Sequence, residues 1–158
     1  MSYTKELQAA ANEYFREHPG SECTAREIAH WAILTGRLKP HGNAAERQLA
    51  NDLSRAMREE HRTDPQGRSV RAKHVARVKR KGKQLNLWAD SQTAPPAHMK
   101  IAFQQRRQQI VGDCLQLKVD VDSYNDNRDT SAGQLMLIGF DFRNDLAEIE
   151  ALRRSKAA

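Results

Sequence analysis

The sequence predicts an α+β fold: three short helices closed by a β-hairpin, then a long helix and a small strand–helix tail. Three observations predict it. Residues 3–60 carry apolar side chains at three- and four-residue spacing, punctuated by helix start and stop signals. Residues 68–83 then carry eight cations with no acid among them, on a period-two alternation. After a small, polar, proline-ended stretch at 91–96 the composition changes to a sustained heptad pattern.

Tyr3–His18 reads as the first helix, with Leu7, Ala10, Ala11, Tyr14 and Phe15 on one face and Pro19-Gly20 as its stop. Thr24-Ala-Arg-Glu27 is a capping box: each side chain can satisfy the other residue's amide. The second helix runs to about Thr35, with Ile28, Trp31, Ala32 and Ile33 or Leu34 inward and Gly36 as a left-handed stop. Lys39–Gly42 is a turn, and Asn43–Glu46 has the pattern of a second capping box.

The third helix, Ala44–Glu60, repeats Leu49, Leu53 and Met57 every four residues, beside Ala45, Ala50 and Ala56. Arg47, Gln48, Asn51, Ser54, Arg55 and Arg58 fall on the remaining surface. Gln, Asn and Arg are the side chains that read base edges in a major groove; Ser and Arg can hold phosphates. Such residues usually do no more than solvate a helix. Here the helix is third of three and directly precedes the basic hairpin.

Asp64–Gly67 is a turn. Ser69–Arg77 alternates Val70, Ala72, His74 and Ala76 against Arg71, Lys73, Val75 and Arg77, as a half-buried strand does. Lys79-Arg-Lys-Gly-Lys83 is the tip and Gln84–Trp88 the return strand. The run Arg68, Arg71, Lys73, Arg77, Lys79, Arg80, Lys81 and Lys83 repels itself, so folding alone gives little reason for it. A phosphate backbone does, because each neutralised phosphate releases about one counterion.

Asp90–Pro96 reads as a linker between residues 1–90 and 97–158. His98–Tyr124 is one long helix whose Phe103, Ile110, Leu117 and Tyr124 lie seven apart, with Cys114 and Val121 between them and Arg107 as a break. These six residues are the expected interface, with a second copy or a larger complex. Asn125–Gly133 is a loop, Gln134–Phe142 a strand apolar on both faces, and Asn144–Arg154 a short helix.

The net charge of +6 is uneven. Up to residue 90 there are 17 Lys/Arg against 11 Asp/Glu; beyond it there are nine of each. An anionic partner at the first part is implied. Two distant cysteines form neither a disulfide framework nor a zinc spacing, which fits a reducing cytoplasm. The first residues lack an apolar signal core and no run reaches membrane-spanning length. Asp120–Ser131 fails as a calcium loop, with Asn125 where glycine is needed and Ser131 where a bidentate glutamate is needed. No phosphate-cradling glycine loop, serine elbow or histidine pair at zinc spacing occurs, so no catalysis, cofactor, metal or small-molecule substrate is expected.

The order of signals over residues 3–90 resembles a HARE-HTH domain. It rests on Ala10, Ala11 and Tyr14; Thr24-Ala-Arg-Glu-Ile28; Gly36-Arg-Leu38; Ala45-Glu-Arg-Gln-Leu49; Arg68-Ser-Val70; and Leu85-Asn-Leu87. The resemblance implies a winged helix-turn-helix fold and an accessory or DNA-targeting role, as in restriction endonucleases, chromatin regulators and, in related form, the delta subunit of bacterial RNA polymerase. It implies no catalytic residues. The expectation is therefore a cytoplasmic, nucleoid-associated protein that binds double-stranded DNA. Arg47, Gln48, Asn51, Arg55 and Arg58 would enter the major groove and the hairpin cations would lie on phosphates. The alternative is a module docking onto a larger bacterial machine such as RNA polymerase, a restriction or defence complex, or a mobile element.

Overall fold

The computed structural model describes residues 2–39, 45–128 and 133–157. Among them are five helices and two small antiparallel sheets, divided into two compact units, Met1–Arg106 and Arg107–Ala158.

The first unit begins with α1 (Tyr3–Glu17), α2 (Ala25–Leu34) and α3 (Ala45–Glu59). The predicted capping box starts α2: the Glu27 amide donates to Thr24 Oγ1 at 3.1 Å and the Thr24 amide to Glu27 Oε2 at 2.6 Å. Leu7, Phe15, Ile28, Leu53 and Met57 meet in a core lined with alanines, which let the helices approach closely. Of the expected inward residues of the second helix, Trp31 and Ile33 are half-buried and pack against this core, Leu34 is exposed, and Ala29 is fully buried beside them. The expected cap at Asn43–Glu46 and most of the turn before it fall outside the described residues.

The expected single strand over 69–77 is two strands. A short ribbon pairs β1 (His61–Thr63) with β2 (Ser69–Arg71) through the Asp64–Gly67 turn; the hairpin pairs β3 (Lys73–Arg80) with β4 (Lys83–Asp90). The chain changes ladders at Ala72, which is buried and whose amide donates to Glu60 O at 3.0 Å. His61-Arg-Thr63 carries no apolar alternation, so that strand had no sequence signal. At the hairpin tip Lys81 and Gly82 both have positive φ, 51° and 72°, the type I′ geometry that matches strand twist. Cys23, just before α2, bridges Trp88: its amide donates to Trp88 O at 3.1 Å and accepts the Trp88 N–H on its own carbonyl at 2.6 Å.

Residues 91–96 are no free linker. The Ser91 amide donates to Ala72 O at 3.0 Å and the Thr93 and Ala94 amides both donate to Asp90 O. The long helix α4 (Pro96–Asn127) starts immediately, and its first turns belong to the first unit. His98 and Ala102 are buried, and His98 contacts Glu22 Oε1 at 2.8 Å and the His74 carbonyl at 3.0 Å. Gln105 uses its amide as a surrogate strand: it accepts from Arg77 N at 2.8 Å and donates to Arg77 O at 2.7 Å. The division between the units therefore falls within α4, because its first turns satisfy the hairpin.

The second unit comprises the rest of α4, an extended segment at 133–142 and α5 (Arg143–Ala157). The predicted strand Gln134–Phe142 forms no ladder among the described residues. Side chains at the end of α4 and just beyond it hold the segment's main chain instead: Asn125 accepts from Met136 N at 3.0 Å and donates to Met136 O at 2.8 Å, and Arg128 donates to the Gly133 carbonyl at 2.9 Å and to the Gln134 carbonyl. Not one described residue of 107–157 is buried.

Candidate nucleic-acid interface

The outer face of α3 holds every residue assigned to it. Helical periodicity sends Leu49, Leu53, Ala56 and Met57 inward and leaves Arg47, Gln48, Asn51, Arg55 and Arg58 exposed on the opposite side. Gln48 donates to Asp52 Oδ1 at 3.0 Å, one turn along, and Tyr3 Oη donates to the same carboxylate at 2.9 Å. Arg58 lies over the Trp88 ring, 5.4 Å from its centroid. Since Trp88 sits at the buried base of β4, Arg58 marks where the polar face of α3 meets the hairpin.

The eight hairpin cations do not share one environment. Lys73 is a correction. Its side chain is fully buried, ion-paired with Glu60 and donating to Asn12 Oδ1 at 2.8 Å; Asn12 Nδ2 in turn donates to Glu60 Oε1 at 2.8 Å. This triangle pins β3 to α1 and to the end of α3, so Lys73 is not available to a phosphate. A buried cation persists only when paired, and Glu60 supplies the pair.

Arg68 is held by Asp64 at 2.7 Å in the turn, and its amide keeps the Asp64 carboxyl below its ordinary range. Arg80 reaches Glu22 at 3.5 Å. Arg71, Arg77, Lys79, Lys81 and Lys83 are exposed and make no ion pair with a described carboxylate. Five of the eight are thus unmatched, and the last three crowd the tip.

Arg106 joins this group from outside it. Burial and the Arg71 guanidinium hold Arg106 below its ordinary value. Burial, followed by Arg106 and Arg71, lowers His74 from 6.5. The α4 segment therefore adds a cation beside Arg71 on the flank of the hairpin. The basic run stops at Lys83 in the sequence; only the packing of α4 against β3 brings Arg106 to it.

Arg62, absent from the expected set, is structural. It pairs with Asp90 at 2.7 Å and donates to Ala72 O at 3.2 Å, tying both sheets together. Burial alone would raise Asp90, and the hydrogen bonds from Arg62 and Gln92 outweigh it, leaving the carboxyl lowered.

The six expected interface residues divide. Phe103 packs edge-on against His74, ring centroids 5.2 Å apart, within the first unit. Ile110, Leu117 and Tyr124 are exposed, Cys114 and Val121 half-buried. Val111, Leu115 and Val119 are exposed as well, so this half of α4 is apolar on more than one face. A groove of about 420 Å³ lies between α4 and the extended segment, lined by Arg107, Ile110, Val111, Cys114, Leu115, Lys118, Phe140 and Phe142. It uses only part of the heptad stripe.

Among the described residues no group of three or more His, Cys, Asp or Glu side chains could hold a metal ion. No described helix is long and apolar enough to cross a membrane. No family model, curated protein or solved structure matches the chain.

Proposed function

We propose that the chain is a double-stranded-DNA-binding accessory or regulatory protein built on a winged helix-turn-helix unit. The outer face of α3 would enter the major groove and the hairpin tip would rest on adjacent phosphates. The observation that carries this reading is the set of five exposed hairpin cations without a carboxylate partner among the described residues. Three further facts support it. The order α1, Cys23 bridge, α2, α3, then the short β1–β2 ribbon and the hairpin, is compatible with a winged helix. Arg58 over Trp88 joins the end of α3 to the hairpin. Lys81 has a positive φ, where asparagine is the easier residue, so a cation is retained at some conformational cost.

The test is a salt titration of the full chain on a short duplex. Replacing Lys79, Lys81 and Lys83 by glutamine should make the slope of log K against log salt shallower by about 3, close to one counterion per cation. An unchanged slope removes the tip from the contact. Arg80 is left out because Glu22 already engages it. Glutamine or alanine at Asn51 and Arg55 should instead lower discrimination between duplex sequences.

A second reading, a module that docks onto a larger bacterial machine, draws on the apolar side chains of the second unit. Under it the full chain would leave duplex DNA unshifted at moderate salt while still binding its protein partner.

A further inference from the structure

The second unit exposes more apolar surface than a free surface unit keeps. Fourteen large apolar side chains from Ile110 to Leu152 are exposed there, and none is buried. The helix α5 is the plainest case. Leu146, Ile149 and Leu152 form a stripe on one face, 48–60% exposed, and α5 buries no residue at all.

We propose that the groove between α4 and Phe140/Phe142 seats helix α5 of a second copy of this chain, and that the exchange is reciprocal. The groove and the stripe suit each other. The groove is apolar along Ile110, Val111, Cys114, Leu115, Phe140 and Phe142, and its two charged lining residues are Arg107 and Lys118. The stripe of α5 is flanked in its first half by Asp145, Glu148 and Glu150. The same pattern continues beyond the groove. The last turns of α5 carry Arg153, Arg154 and Lys156, and the next turns of α4 carry Asp120 and Asp122. Acid meets base at both ends if α5 lies with its first half over Arg107 and Lys118. Lys118 pairs with Asp122 within one chain, but both side chains are more than half exposed, so exchanging that pair costs little.

The occupant is a second copy rather than the chain's own α5. That helix starts at Arg143, the residue after Phe142, which itself lines the groove. No spacer remains to reverse the chain and lay the stripe back where it began. Two copies solve this by exchange, which gives an isologous pair with both grooves filled. The proposal stands independently of the DNA reading, because it uses no residue of the first unit.

The experiment is sedimentation equilibrium of the full chain with two double variants. Wild type should be a dimer at micromolar concentration. Leu146→Asp with Ile149→Asp removes the stripe, and Leu115→Asp with Phe142→Asp removes the groove; each alone should give a monomer. Because α5 buries nothing within one chain, the first variant has no core to lose, and unchanged circular dichroism checks this. Mixing the two variants should restore a heterodimer through the one intact groove and the one intact helix. Cys114 should react with a thiol reagent more slowly in wild type than in the α5 variant, while buried Cys23 stays unreactive in both. A monomeric wild type, a dimer that survives both double variants, or a mixture that stays monomeric overturns the proposal.

Discussion

Lys73 and Lys79 stand on the same face of the same strand, six residues apart, and they do opposite things. At the base of the hairpin Lys73 is enclosed by Glu60, Asn12 and the Phe15 ring, over which its Nζ lies 5.9 Å from the centroid. Near the tip Lys79 is exposed, with no described carboxylate to pair with. The strand alternation is identical for both; what differs is how far each lies from the helices and whether a carboxylate waits there. A charge in a basic run acquires its role from depth. The base uses its cation to assemble the fold, and the tip leaves its cations for something outside it.

The sharpest way to break this comparison is to remove the base cation. Lys73→Met should destabilise the first unit by about 3–5 kcal/mol, nearer the lower figure because Glu60 keeps Asn12 and some water. Thermal unfolding measures it, and a loss below about 1 kcal/mol would mean that the pair is dispensable. The tip should behave in the opposite sense. Glutamine at Lys79, Lys81 and Lys83 should leave stability within about 0.5 kcal/mol while flattening the salt dependence of DNA binding.

A smaller effect separates charge from shape at the tip. Gly82→Ala meets no neighbour, so its cost is the positive φ alone, about 1–2 kcal/mol. Lys81→Asn should gain a fraction of that, since asparagine tolerates the left-handed region, and should still weaken DNA binding. If it strengthened binding, Lys81 would not be a phosphate contact.

The smallest signal is the titration of His74. Its folded value is lowered, by burial first and then by Arg106 and Arg71. The unfolded chain therefore takes up the proton more readily. This contribution to stability is complete above the unfolded value of 6.5 and is lost as the pH falls from there through the lowered folded value. Arg106→Gln should move His74 upward in an NMR titration, and so should a bound duplex, whose phosphates offset both guanidinium groups. A duplex that left His74 unmoved would place the DNA away from this flank.

Much of the first unit could be read without coordinates. Leu7, Phe15, Ile28, Leu53 and Met57 are buried where their spacing put them, and the Thr24–Glu27 cap is formed as written. The exposed face of α3 follows from the same periodicity. What could not be read depends on pairs distant in sequence. Asn12, Glu60 and Lys73 meet only after folding, so nothing local distinguishes Lys73 from its neighbours. Arg106 is separated from Arg71 by the whole hairpin. Gln105 looks like a solvent-facing helix residue and Asn125 like the start of a loop; Asn125 is instead still helical, and each satisfies both main-chain groups of one extended residue. The polar stretch at 91–96 resembles a linker because its hydrogen-bond partners, Ala72 and Asp90, lie elsewhere or at its very edge. The apolar run at 134–142 had strand composition but no described neighbour with which to build a ladder.

Gln105 has a wider implication. By occupying the outward N–H and carbonyl of Arg77, it blunts the middle of the β3 border, where a foreign strand would otherwise dock. A strongly cationic ribbon with an open border would invite stacking of one molecule upon the next whenever an anionic polymer neutralised the repulsion between copies. One neutral amide interrupts that route without adding or removing a charge.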